Sequence, residues 1–119
     1  MANFKKIASE TDVKVRFSVP SKWFMKNLYS RFEGKSKLDI LVKDLSGEVQ
    51  SFGFSVRTKG NHFKPVICRG WGKFVREKAL KPGNKIVFLM ENDPEIGTEY
   101  KIEVIKEIKL FGRNIEGRV

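Results

Sequence analysis

Alternating hydrophobic and polar residues recur along the chain and predict several short β-strands. The alternation covers residues 13–19, 38–42, 52–56 and 100–104. Because side chains with a period of two point to opposite faces of a strand, each segment is expected to bury one face and expose the other. In the first segment the apolar side chains would face the core. Three polar side chains would share its outer face: Lys14, Arg16 and Ser18.

Further segments predict two more strands and a hairpin. Residues 66–68 and the apolar run 85–90 have the composition of buried strands. Gly47 marks a tight turn, since glycine readily adopts the positive φ that such turns require. We therefore expect residues 38–42 and 52–56 to pair across this turn as a hairpin.

Two short helices are predicted between the strands. Ser21 would cap a helix over residues 22–29, and Trp71, Phe74 and Val75 have the i, i+3, i+4 spacing of an amphipathic helix. Helices this short cannot cover a parallel sheet. We therefore expect a mostly β fold, an antiparallel open barrel of six or seven strands.

The composition is that of a folded, basic protein. The chain has 119 residues, and its 24 Lys and Arg against 14 Asp and Glu give a net charge of +10. This length fits a single domain over residues 1–119, and ten Phe and two Trp can fill a core. One Cys and one His exclude an internal disulfide and a self-contained zinc site, and no cofactor is expected. No apolar run approaches the roughly 20 residues of a membrane-spanning helix, so we expect a soluble, intracellular protein.

Most of the positive charge lies in the middle of the chain. Residues 50–90 contain nine basic residues and one acidic residue, Glu77, whereas residues 91–119 have a slight negative balance. Because the middle block is also rich in large apolar residues, we expect it to be folded rather than a tail. A clustered basic field attracts polyanions. The alternative is a charged surface that serves only solubility.

Catalytic chemistry has little support in the sequence. His62 is the only histidine, and Cys68 lies in an apolar segment where a buried thiol would be inert. The acidic residues between positions 91 and 107 are mixed with Lys, as on a solvated strand face, and the sequence has no glycine-rich phosphate loop. We therefore predict no enzyme activity and no small-molecule ligand.

Two basic segments carry the residue types that bind nucleic acids. Phosphates are contacted by Lys, Arg and small polar donors, and base edges are read by side chains such as Arg, Lys, Asn and Ser. The first segment spans residues 11–22 and has four such residues: Lys14, Arg16, Ser18 and Lys22. The second spans residues 57–64, begins with a predicted polar loop at 57–61, and has five: Arg57, Lys59, Asn61, His62 and Lys64. Both patterns also fit ordinary charged strand surfaces and hairpin loops.

Residues 69–88 contain a longer motif that resembles the plant B3 DNA-binding domain. The family pattern G-W-x-x-F-V-x-x-x-x-L-x-x-G-D-x-x-x-F is matched from Gly70 to Phe88, with Asn84 in place of the usual Asp. Asp44-Leu45-Ser46-Gly47 resembles the family's D-x-x-G turn, and residues 4–20 resemble its opening segment. Lys59-Gly60-Asn61 stands where well-known members have Trp-Asn-Ser, and this departure resembles the divergent reproductive-meristem type.

The resemblance implies a seven-stranded open β-barrel with two short α-helices. It also implies a transcription-factor module that acts in the nucleus of a plant. In this family two arms grip the major groove of DNA, and they correspond here to residues 11–18 and 57–64. The Gly-Trp helix is mainly structural in the family, which agrees with a core position for Trp71.

We therefore predict a monomeric module that binds double-stranded DNA with weak sequence specificity. Residues at or near base edges would be Lys14, Arg16, Arg57, Lys59 and Asn61. Phosphates would be anchored by Lys22, Lys64 and Arg69. Further hydrogen-bond donors would be Ser18 and His62.

Two alternative functions remain at this stage. The first is a protein-interaction module that keeps the barrel and its basic surface without reading DNA. The second is a nuclease, although the sequence has no obvious carboxylate cluster to support one.

Overall fold

The computed structural model describes the backbone of residues 3–59, 62–110 and 113–118, and the side chains of residues 3–57 and 64–106. The strands in this part of the chain are β1 (Asn3–Ile7), β2 (Phe17–Ser18), β3 (Lys37–Asp44), β4 (Val49–Lys59), β5 (His62–Arg69), β6 (Lys85–Asp93), β7 (Thr98–Leu110) and β8 (Arg113–Arg118). The helices are α1 (Glu10–Lys14), α2 (Ser21–Asn27) and α3 (Trp71–Glu77), with a 3₁₀ helix at Tyr29–Phe32. None of the described helices has the length and hydrophobicity needed to cross a membrane.

Seven strands form one curled sheet in the order β1-β6-β7-β3-β4-β5-β2, and β8 pairs with the C-terminal half of β7. The described strand pairs are antiparallel except for β3 and β7, which run parallel. The two end strands approach each other across the open side of the barrel. The rings of Phe4 on β1 and Phe17 on β2 lie 6.2 Å apart, and Lys6 Nζ donates to the Ser18 carbonyl at 2.8 Å. The predicted seven-stranded open barrel is therefore confirmed.

Aromatic side chains fill the interior of the barrel. Phe52 and Phe54 on β4, Phe88 on β6 and Tyr100 on β7 are all buried, together with Trp71 at the start of α3. Burying a side chain of this size stabilises the fold by roughly 1.5–3 kcal/mol. The inward faces predicted from the alternating pattern over 38–42, 52–56 and 100–104 are therefore correct.

The strand predicted over residues 13–19 is wrong for most of its length. Ser9 and Asp12 form a capping box, in which each side chain accepts a hydrogen bond from the other residue's backbone N–H, and helix α1 begins there. Val15 is 63% exposed, and only Phe17–Ser18 pair with a neighbouring strand. Local capping hydrogen bonds thus outweigh the alternating pattern. As a result the barrel carries three α-helices instead of the two predicted.

The other two helices are present with shifted bounds. Helix α2 begins at Ser21, and Pro20 occupies the capping position that was predicted for Ser21. It ends at Asn27, after which the chain forms the 3₁₀ helix. Helix α3 begins at Trp71, as the spacing of its apolar residues predicts.

The predicted loop at residues 57–61 is largely strand. β4 continues to Lys59 and β5 begins at His62, with Arg57 opposite Lys64 and Lys59 opposite His62. Because the buried faces of β4 and β5 fix their register, pairing continues beyond the hydrophobic residues into polar ones. Strands β1 and β8 are not predicted either, because neither contains a clear alternating pattern.

Candidate nucleic-acid interface

A groove on the outer surface of the barrel brings the two basic segments together. It has a volume of about 610 Å³ and is lined by Arg16, Ser18, Val19, Ser21, Arg57, Lys64, Pro65 and Val66. Three of these described lining residues are cationic and none is acidic. Four of the predicted site residues, two from each segment, therefore lie in one depression: Arg16, Ser18, Arg57 and Lys64.

Strand pairing explains why the two segments meet. β2 pairs with β5, and this pairing places Ser18 opposite Val66. β5 in turn pairs with β4 and places Lys64 opposite Arg57. Because neighbouring strands are about 4.8 Å apart, the first segment lies directly beside the hairpin that carries the second. Val66 is buried and forms an apolar floor between them.

The cations of the groove are available to a ligand. Arg16, Arg57 and Lys64 form no ion pair with any other side chain that the structure describes. Arg57 and Lys64 are exposed, and Arg16 is half-buried. Lys22, next to the lining residue Ser21 in the first turn of α2, is also exposed. Side chains of this kind form strong, charge-assisted hydrogen bonds with phosphate oxygens.

Two other predicted residues form ion pairs outside the groove. Lys14 lies on α1, where its ammonium pairs with Glu10 one turn earlier, so it does not share a strand face with Arg16 and Ser18 as predicted. Arg69 lies at the end of β5, and its guanidinium pairs with Asp39 on β3. Neither Lys14 nor Arg69 is among the residues that line the groove.

Two of the three remaining predicted residues, Lys59 and His62, end one strand and begin the next in the β4–β5 hairpin. Their backbones are directly opposite each other. The side chains of Lys59 and His62, and the whole of Asn61, lie outside the described residues. Their part in the interface therefore stays a prediction.

Asp12 fixes the first basic segment against the barrel. Its buried carboxylate accepts hydrogen bonds from the N–H of Ser9 at 2.9 Å, from the N–H of Ser18 at 3.1 Å and from Lys6 Nζ at 3.0 Å. Burial by itself raises the pKa of Asp12, but the three donors more than offset this effect and hold the pKa below its usual value. The charged carboxylate thus ties β1, α1 and β2 together next to Arg16.

Trp71 connects the same segment to helix α3. Its Nε1 donates to the Asp12 carbonyl at 2.6 Å, and its ring centroid lies 4.7 Å from that of Phe17. Trp71 is 1% exposed, which confirms the predicted core position. Gly70 has a φ of +81°, and a Cβ there would lie 2.1 Å from the carbonyl oxygen of Ser51. Gly70 and Trp71 therefore dock α3 closely onto the sheet behind the groove.

Sequence reasoning missed the residues that hold the groove in shape. The Ser9-x-x-Asp12 spacing is that of a capping box and is readable in the sequence. The role of Lys6 is not readable in the sequence, because its partners come together only when the barrel closes.

Cys68 was expected to be buried but is exposed, since alternation along β5 turns Ile67 inward and Cys68 outward.

Comparisons with known proteins agree with the fold. A family model described as the B3 DNA binding domain matches residues 4–106. The Arabidopsis FUS3–DNA complex superimposes with a TM-score of 0.71 at 25% identity, over 83% of this chain and 92% of that chain. The Arabidopsis thaliana transcription factor LEC2–DNA complex gives a TM-score of 0.69 at 18% identity, over 82% and 86% of the two chains. The structure of a hypothetical Arabidopsis thaliana protein gives a TM-score of 0.56 at 19% identity, over 86% of this chain and 87% of that chain. Because the family model spans most of its length, this chain belongs to the B3 DNA-binding domain family.

Proposed function

We propose that this domain binds double-stranded DNA through the groove between β2 and the β4–β5 hairpin. The observation that carries the proposal is the meeting of Arg16, Arg57 and Lys64 in one depression whose described lining contains no acidic residue. Membership of the B3 family supports DNA as the ligand, and so do the two solved relatives that are DNA complexes.

The two basic segments would act as arms in the major groove. That groove is about 12 Å wide and admits a two-stranded β-ribbon such as the β4–β5 hairpin. Lys59, Asn61 and His62 would then reach base edges, while Lys64 and Lys22 hold phosphates. Arg16 and Ser18, which lie on the β2 side of the protein's groove, would approach the duplex from the side opposite the hairpin.

We place this activity in a plant transcription factor that acts in the nucleus. The family and the Arabidopsis transcription factor among the solved relatives support this setting.

The domain would bind as a monomer and would not cleave its ligand. Among the described residues, no group of three or more His, Cys, Asp or Glu is placed to hold a metal ion. Incubation of a labelled duplex with the domain and Mg²⁺ should leave the duplex intact.

A pair of matched double variants tests the groove directly. Arg57→Gln with Lys64→Gln removes two groove cations, whereas Lys73→Gln with Arg76→Gln removes two exposed cations of α3. Affinity for a duplex should fall at least about tenfold in the groove variant and much less in the α3 variant. The slope of log K against log salt should also become shallower by about 0.9 for each phosphate contact that is lost. Fluorescence anisotropy at several salt concentrations measures both quantities.

Equal losses in the two double variants would contradict the proposed groove. Absence of duplex binding by the wild-type domain at low salt would contradict DNA binding itself. That second result would favour a protein-interaction module that uses the same basic surface.

A further inference from the structure

The ion pair between Arg69 and Asp39 adjoins the proposed DNA groove. Arg57 lines both this groove and a second hollow, which also contains Arg69 and Lys37. The two depressions therefore form one continuous basic face. Arg69 carries a charge suited to this face, but that charge is already paired.

Strand register places the pair on the outer face of the sheet. Asp39 on β3 is opposite Gly53 on β4, and Gly53 is opposite Arg69 on β5. The neighbouring row, one step closer to the groove, consists of Lys37, Ser55, Val66 and Ser18. Arg57 lies four residues along β4 from Gly53, which corresponds to about 14 Å. This separation exceeds the Debye length of about 10 Å at 0.1 M salt but lies well within the length of about 30 Å at 0.01 M, so a charge at Asp39 acts on a ligand in the groove chiefly at low salt.

Gly53 allows the side chain of Arg69 to lie flat across β4. A Cβ at position 53 would lie 2.8 Å from the Cβ of Arg69 and 3.1 Å from its Nε. Because glycine has no Cβ, the Arg69 side chain crosses the middle strand and its guanidinium meets Asp39 two strands away. The guanidinium is thereby held down on the sheet instead of projecting towards a ligand.

The pair is also exposed enough to be exchanged for another partner. The side chains of Arg69 and Asp39 are 69% and 55% exposed. An exposed ion pair is weak, so a phosphate can compete with Asp39 for the guanidinium. Even then, the carboxylate remains beside the arriving phosphate and repels it.

Resting on the proposed function, we infer that Asp39 limits the affinity of this face for the phosphate backbone of DNA by holding Arg69 on the sheet. Asp39 acts in two ways: it competes for Arg69, and it places an exposed negative charge beside a face whose described lining has no acidic residue. The residue is therefore an affinity-setting residue that does not itself contact the ligand.

Variants that remove the negative charge at position 39, compared with a matched control, test this inference. Asp39→Asn removes the carboxylate, and Glu48→Gln makes the same change in net charge at an exposed residue in the turn beyond the far end of β3. At low salt, Asp39→Asn should bind a duplex roughly three- to tenfold more tightly than the wild type, and Glu48→Gln should bind about as tightly as the wild type. If Arg69 gains a phosphate, the salt slope should steepen by about 0.9. Asp39→Ser provides a second variant of the same kind.

Adding Arg69→Gln identifies the group that is released. The gain should be clearly smaller in the Asp39→Asn, Arg69→Gln double variant, because only the relief of repulsion is left, whereas Arg69→Gln alone should have a small effect. An Asp39→Asn variant that binds no more tightly than Glu48→Gln would overturn the inference. A gain that Arg69→Gln leaves undiminished would overturn it as well.

Elution from a heparin column separates this inference from the proposed function. Failure of every variant to bind duplex DNA would mean that the proposed function is wrong. The inference would then be judged on heparin alone. Later elution of Asp39→Asn than of Glu48→Gln would support it, and equal elution would overturn it.

Discussion

Two buried carboxylates hold the ends of secondary-structure elements in this domain. Asp12 joins β1, α1 and β2, while Asp44 organises the β3–β4 turn through Ser46 Oγ at 2.6 Å and the Glu48 N–H at 3.0 Å. Burial raises the pKa of each carboxyl, but the hydrogen-bond donors lower it by a larger amount, so both pKa values lie below the usual one. A carboxylate of this kind stabilises the fold above its unfolded-state pKa. That stabilisation is lost as the pH falls through the folded-state pKa.

Asp12→Asn should therefore destabilise the domain in a pH-dependent way. At neutral pH we expect a loss of about 1–3 kcal/mol, because the ion pair with Lys6 and two hydrogen bonds to charge are lost. The deficit should shrink as the pH falls below about 4, because the carboxyl of the unfolded chain takes up a proton first and the folded-state carboxylate, with its lowered pKa, follows at lower pH. Urea unfolding at neutral and acidic pH measures the difference, with Glu95→Gln in an exposed loop as the control. A deficit that does not change with pH would contradict this account.

Single residues also show how far the site can be predicted from the sequence. Arg57 and Lys64 are predicted only as members of one basic segment, and the pairing of β4 with β5 is what places them opposite each other in the groove. The ion pair of Arg69 is not predicted, because its partner Asp39 is 30 positions away and becomes adjacent only through two strand pairings. The sequence thus indicates which cations exist but not which of them are already paired.

At the scale of elements, local hydrogen bonds and strand register account for the wrong predictions. The alternation in residues 13–19 is typical of a strand, yet the Ser9–Asp12 capping box starts a helix there. The hairpin extends to Lys59 and His62 because the buried faces of its strands set a register that polar residues then follow. The long alternating strands and helix α3 are predicted correctly, since their buried faces coincide with their sequence patterns.

The docking of α3 leads to a prediction about two glycines. Gly70 and Gly47 both have a positive φ, but a Cβ at Gly70 would clash with the Ser51 carbonyl, whereas a Cβ at Gly47 would meet nothing within 4 Å. Gly47→Ala should therefore lose only about 1–2 kcal/mol from its backbone conformation. Gly70→Ala should lose about 3 kcal/mol or more, because the helix must also move away from β4. Urea midpoints of the two variants provide the test, and equal losses would show that α3 is not held by this close contact.

At the scale of the whole molecule, the positive charges that make up the net charge of +10 are distributed unevenly over the surface. On the β6–β7–β3 part of the barrel, Lys43 pairs with Glu91 at 2.8 Å and with Asp93 at 3.2 Å, and Lys101 lies 3.9 Å from Glu91. The groove side, in contrast, has Arg16, Arg57 and Lys64 without such partners among the described side chains. The sequence places most of the positive charge in residues 50–90, and the fold then decides which of these charges line the groove.

The central claim is that DNA contacts the groove between β2 and the β4–β5 hairpin and the two basic segments on either side of it. Titration of the ¹⁵N-labelled domain with a short duplex, followed by amide chemical shifts, tests this claim most directly. We predict that the largest shifts will occur in residues 16–22 and around Arg57, Lys64 and Val66, with little change on the β6–β7–β3 part of the barrel. Shifts concentrated around Lys43 and Lys101 instead would contradict it.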